Sequence, residues 1–122
     1  MSPGGQAPDS RAGSALRFLA ELVAWVATPW ALAPYSVPLA VLAVIVLIGL
    51  PTVFSTPGDK ARTIVAVPGP VTIALVLLQL VAAVAAAWVA WPVPATVAVT
   101  ALALVVVGFE LPRWRWLLTA PA

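Results

Sequence analysis

The 122-residue chain is 63% hydrophobic and only 8% charged, with a mean hydropathy of +1.10, whereas about a quarter of the residues of an ordinary water-soluble domain are charged. Six Lys and Arg against four Asp and Glu leave a net charge of +2, too few charges, too widely scattered, for the phosphate-facing footprint of a nucleic-acid binder. Cysteine and histidine are both missing from the composition, which rules out disulfides and thiolate chemistry and removes the commonest general base and metal ligand, so that no cofactor or metal is expected.

Residues 1–13 are rich in Gly, Pro and Ser and read as a flexible tail. A first span is predicted over 15–32, carrying Glu21 and also Pro29, whose missing amide hydrogen predicts a kink or an early helix end. In the neutral connection APYSVP, Ser36 is placed to cap a helix with Pro38 in its first turn, and a second span follows over 37–54. Its β-branched run would suit a buried strand in water. Four apolar runs of this length in one chain point instead to helices in lipid, where backbone groups must be satisfied within the segment.

The longest polar interval is a loop over 55–69, in which Thr56, Pro57 and Asp59 are patterned as the start of a short surface helix around 58–63. A third span is predicted over 70–91. Its lone amide, Gln79, lies some nine residues in, or about 14 Å at ~1.5 Å per residue, close to the midplane of a ~30 Å hydrocarbon core. Pro92 and Pro94 bracket a tight turn, and a fourth span runs over 95–112, bent at Pro112 into RWRWLL at the membrane surface. The membrane domain therefore covers 14–118, with 119–122 as a C-terminal tail.

Four spans put both termini on one side together with the 55–69 loop. Every charged residue then falls on that side, and the two opposite turns carry none, so the positive-inside rule makes the charged side cytoplasmic. Trp30, Tyr35, Trp88 and Trp91 flank the outer turns while Trp114 and Trp116 sit at the inner surface, the positions of aromatic belts. Ala20, Ala24 and Ala27 on the first span, and Ala82, Ala86 and Ala90 on the third, offer small faces for close helix contact. The expected fold class is all-α: an integral-membrane, antiparallel four-helix bundle with both termini cytoplasmic.

Glu21 and Glu110 lie in the same layer, within ~10 Å of the cytoplasmic boundary, and are able to meet. An ionisable residue inside a span is by default a functional-site hypothesis. Arg17 stands one turn before Glu21, however, and Arg113 one turn after Glu110, so ion pairs that lock helix ends are the leading reading of both acids. A headgroup site and a proton or ion relay stay open beside that reading. At the midplane, Gln79 is placed to bond a facing Thr100 or a backbone carbonyl. Neither GxGxxG nor GxxxxGK occurs, so no phosphate loop is expected.

Taken together, LRFLAEL at 16–22, PTVFSTPGDK at 51–60, VPGP at 67–70 and ELPRWRW at 110–116 make the chain resemble the YrdB-like family of small four-span bacterial membrane proteins of unknown function. The resemblance covers nearly all of the folded chain. It implies a compact four-helix bundle, multi-pass in the bacterial cytoplasmic (inner) membrane, and transfers no catalytic residue. It also draws Glu21, Asp59, Lys60, Glu110 and Arg113 into one cytoplasmic-side polar cluster, which Arg17 joins by its spacing from Glu21.

The function expected from these readings is that of a membrane component without catalytic activity. It would associate with itself as a homo-oligomer, with a larger membrane protein, or with membrane lipids including anionic headgroups. The alternative is a small-solute or proton-coupled transporter in which Glu21 and Glu110 titrate and Gln79 lines the path; an enzyme using the carboxylate pair ranks below both, because two acids with no histidine make a poor catalytic set.

Overall fold

The structure, a computed structural model, describes residues 10–55 and 65–119. Residues 1–9 of the tail expected over 1–13, the surface helix around 58–63 with Asp59 and Lys60, and residues 120–122 lie outside the described residues, while residues 11–13 of that tail form the first turn of a helix. The described residues form four helices, α1 (Arg11–Leu32), α2 (Val37–Val53), α3 (Gly69–Ala90) and α4 (Val93–Thr119), with two short strands, β1 (Phe54–Ser55) and β2 (Val65–Ala66), between α2 and α3. Three helices, α1, α3 and α4, are long and apolar enough to cross a membrane. The chain is thus a small multi-span membrane protein.

Local chemistry sets where the helices begin. α1 starts at Arg11 because Ser10, in extended backbone, accepts the Gly13 N–H through its hydroxyl at 2.9 Å. Ser36 does the same for α2, accepting from the Leu39 N–H at 3.2 Å, with Pro38 in the first turn, where an amide hydrogen is not needed. α3 follows Pro68 and opens on Gly69-Pro70.

Three prolines lie inside helices without ending them. α1 runs past Pro29 to Leu32, and α4 runs past Pro112 to Thr119. In α4 the reason is packing. Pro112 and Gly108, whose carbonyl it deprives of a donor, both face outward, while Arg113 and Leu117 one turn apart are buried and hold the last turns against the bundle. The segment RWRWLL is therefore a continuation of α4 with one buried face.

α2 is the shortest helix. Its 17 residues extend about 25 Å at ~1.5 Å per residue, somewhat less than a ~30 Å hydrocarbon core. It stops where Phe54 turns extended and pairs, in parallel, with Val65, followed by Ser55 with Ala66. A two-residue ladder has too few positions to show an alternating pattern, which is why nothing in the sequence announced it.

The interior is built on small side chains. Ala20 packs with Val76, Leu80 and Val106; Ala24 with Leu47, Ala83, Ala87 and Val99; Ala27 and Ala31 with Ala86. α1 and α3 therefore ascend together along an alanine seam, which lets their backbones approach closely without a hydrophobic drive between them. α4 descends along the same core. α2 packs on α1 and, more lightly, on α3, and buries only Ala40 and Leu47. Burial is inverted relative to a soluble protein: Glu110 and Arg113 are inside while Trp30, Ile45, Val81 and Leu104 are outside.

Candidate functional site

The charged residues of α1 and α4 meet at one end of the bundle. Glu110 is 2% exposed, and both of its carboxylate oxygens are occupied: Oε1 accepts from Arg17 Nη1 at 2.9 Å and Oε2 from Arg113 Nη1 at 2.9 Å. Arg113 reaches its acid from one turn along the same helix, whereas Arg17 crosses from α1. That crossing is possible because Ala20 and Val106, one turn further into the core, let the two helices come close. Arg17 Nε also lies 3.9 Å from Glu21 Oε1, so one guanidinium bridges both acids. The two 2.9 Å charge-assisted bonds are strong and offset the penalty of removing Glu110 and Arg113 from water, while Arg17 and Glu21 stay partly exposed.

Beside the cluster lies a cavity of about 30 Å³, bounded by Arg17 and Glu21 of α1, Pro51 of α2, Phe54 of β1, Thr72 of α3 and Arg113 of α4. All four helices thus converge on it. It has room for a water molecule or two and for nothing of metabolite size. Among the described residues, no group of three or more His, Cys, Asp or Glu is placed to hold a metal ion.

The structure therefore brings together Arg17, Glu21, Glu110 and Arg113 of the six residues assigned to the cluster from sequence; Asp59 and Lys60 lie outside the described residues. Gln79 and Thr100 are not joined. The Thr100 hydroxyl donates to the Thr96 carbonyl of its own helix at 2.9 Å, the ordinary back-bond of a helical threonine, and Gln79 Nε2 donates to the Leu47 carbonyl of α2.

That last bond has a specific cause. Leu47 is four residues before Pro51, which has no amide hydrogen to return to it, so its carbonyl lacks a helical donor inside the bundle. Gln79, 2% exposed, supplies the donor from the neighbouring helix, as buried polar side chains do for proline-broken ladders in lipid. The signal was present in the sequence as the spacing of Leu47 and Pro51, but no local rule says which helix provides the amide. A Gln79→Leu variant is expected to lose about 1–3 kcal/mol by orphaning this carbonyl. Adding Pro51→Ala, which restores the amide hydrogen at position 51, is expected to recover most of the loss; thermal unfolding of the single and double variants in detergent tests the coupling.

A second interhelical bond went unread in the sequence. The Thr96 hydroxyl donates to the Ala87 carbonyl at 2.8 Å and clamps the first turn of α4 across the proline-flanked turn onto the end of α3. At that same end, Trp30 and Trp91 meet edge to face with ring centroids 5.9 Å apart.

Comparison of the chain with protein-family models, with curated proteins and with solved structures finds no match.

Proposed function

We propose that the protein is a four-span component of the bacterial cytoplasmic membrane, of YrdB-like type, with both termini cytoplasmic. It works without catalysis, by associating with copies of itself or with a larger membrane protein. The observation that carries this reading is the closure of the ion cluster: both oxygens of Glu110 are held by arginines from two helices, an arrangement that locks helix ends and leaves no carboxylate oxygen of Glu110 turned toward a substrate. Four crossings are supported by the meeting of the start of α1 with the end of α4 at the charged end. α2, short by about 5 Å, crosses with modest local thinning of the bilayer.

The chain contains no cysteine, so single cysteines report cleanly on sidedness. In intact cells an impermeant maleimide is expected to label Tyr35→Cys at the outer turn, and to label Thr119→Cys only after permeabilisation. In mild detergent, mass measurement is expected to give an oligomer or a complex with another membrane protein. A strict monomer with no co-purifying protein would overturn the association.

One observation favours the transporter alternative, namely the small cavity that Arg17, Glu21 and Thr72 share at the charged end. Against it, Val76 and Leu80 are buried on the α3 face that separates Thr72 from the far side of Gln79, and these side chains interrupt any polar path. Absence of solute or proton flux in liposomes holding the parent protein removes this reading.

A further inference from the structure

On the outer side of the bundle, α3 and α4 leave between them an apolar groove of about 380 Å³, walled by Leu77, Val81 and Ala85 on α3 and by Ala103, Leu104 and Val107 on α4. Leu104 is 70% exposed. Leu104, Leu111 and Arg115 follow at i, i+7 and i+11 and so share one face of α4, which carries the line of the groove toward the charged end of the molecule. Arg115 is exposed and, unlike Arg17 and Arg113, has no acidic partner among the described residues. It stands eight residues beyond Val107, or about 12 Å at ~1.5 Å per residue. An apolar channel that points, a short distance on, to an exposed cation matches one kind of molecule, with an anionic head and a hydrocarbon tail.

We propose that an anionic phospholipid occupies the α3–α4 groove, with an acyl chain between Leu77, Val81, Leu104 and Val107 and its phosphate on Arg115. The glycerol and the first acyl carbons lie alongside Leu111, in the interval between the groove and the guanidinium. The charge selects this groove over the larger one, of about 440 Å³, between α1 and α3, which is bounded by Thr28 and Tyr35 at the uncharged end and has no arginine on its walls. The proposal rests on the membrane reading above, with the end of α4 at the anionic cytoplasmic leaflet.

The test is native mass spectrometry of the full chain in neutral detergent, titrated with phosphatidylglycerol, with phosphatidylcholine of the same acyl chains, and with inorganic phosphate. The parent is expected to prefer phosphatidylglycerol about five-fold, the effect of one arginine near a headgroup of net negative charge, since the choline of phosphatidylcholine offsets its phosphate. Arg115→Gln is expected to abolish that preference, while Arg11→Gln, at another exposed arginine, on α1, leaves it intact. Ala85→Phe, at an exposed position that borders both grooves, is expected to weaken both lipids, whereas Val89→Phe, which borders the α1–α3 groove and not the α3–α4 one, is expected to leave them as in the parent.

The proposal is overturned if Arg115→Gln keeps the preference, if Ala85→Phe binds both lipids as the parent does, or if inorganic phosphate competes as well as the lipid. A dimer that retains no lipid and is lost in Ala85→Phe would assign the groove to a second copy instead. Labelling of Thr119→Cys separates the two failures: if that position is cytoplasmic and the lipid preference is absent, only the lipid site falls, whereas labelling from outside removes the orientation on which it rests.

Discussion

Replacing Glu110 by alanine is expected to lower the stability of the bundle by about 3–5 kcal/mol, because it leaves two guanidinium groups in the interior without the carboxylate that holds them. Arg113 is 3% exposed and cannot turn to solvent without pulling α4 from the core. Arg17 keeps Glu21 at 3.9 Å but loses its shorter, more buried partner. Glu110→Gln retains one acceptor oxygen and removes the charge, so its loss is expected to fall between that of the alanine variant and the parent. Thermal unfolding in detergent, followed by circular dichroism, ranks the three.

A buried ion pair is weak grounds for stability in itself, and its removal as a pair has a different sign from the removal of one member. Glu110→Leu combined with Arg113→Met leaves Arg17 on Glu21 and removes the most deeply buried pair, and is therefore expected to be within about 1–2 kcal/mol of the parent, far milder than Glu110→Ala alone. Should the double variant be as unstable as the single one, the locking role given to the cluster would be wrong, and some further demand on these side chains would have to account for the loss. Should it be stable yet fail to assemble in mild detergent, the cluster serves specificity of association more than stability of the chain.

The parts of this architecture that sequence exposes are those governed by local chemistry. Ser36 with Pro38 marks a helix start because the cap and the missing amide hydrogen act within four residues, and long apolar runs mark helices because lipid offers no other partner for the backbone. Glu110 and Arg113 announce themselves as a pair by spacing alone. What sequence withholds are the crossings. Arg17 reaching Glu110 depends on how closely α1 approaches α4, which is set by Ala20 and Val106, and Gln79 reaching Leu47 depends on where α2 lies. Pro112 marks only a bend leading into RWRWLL, whereas the burial of Arg113 and Leu117, which keeps those last turns of α4 on the bundle, is a property of the assembled fold.

A further close approach joins the start of α3 to the end of α4. A Cβ built on Gly69 would overlap the carbonyl of Leu117, which is backbone and cannot rotate away. Gly69 is buried at the start of α3, and Leu117 is fully buried near the end of α4, so Gly69→Ala forces the two helix ends apart. The loss is expected to be at the upper end of the ~1–3 kcal/mol range typical of overpacking. Because Arg113 is one turn before Leu117, the displacement also reaches the ion cluster. Trp114 packs on the core formed by Ala20, Val76, Leu80 and Val106, and its emission is expected to shift as that turn lifts. The same substitution at Gly49 of α2, where a Cβ meets nothing within 4 Å, is expected to stabilise by about 0.5–1 kcal/mol, since alanine favours a helix interior over glycine. Opposite signs for one chemical change at two helical glycines would tie the effect to the α3–α4 contact; equal, small effects at both would mean that the end of α4 is free to move off α3.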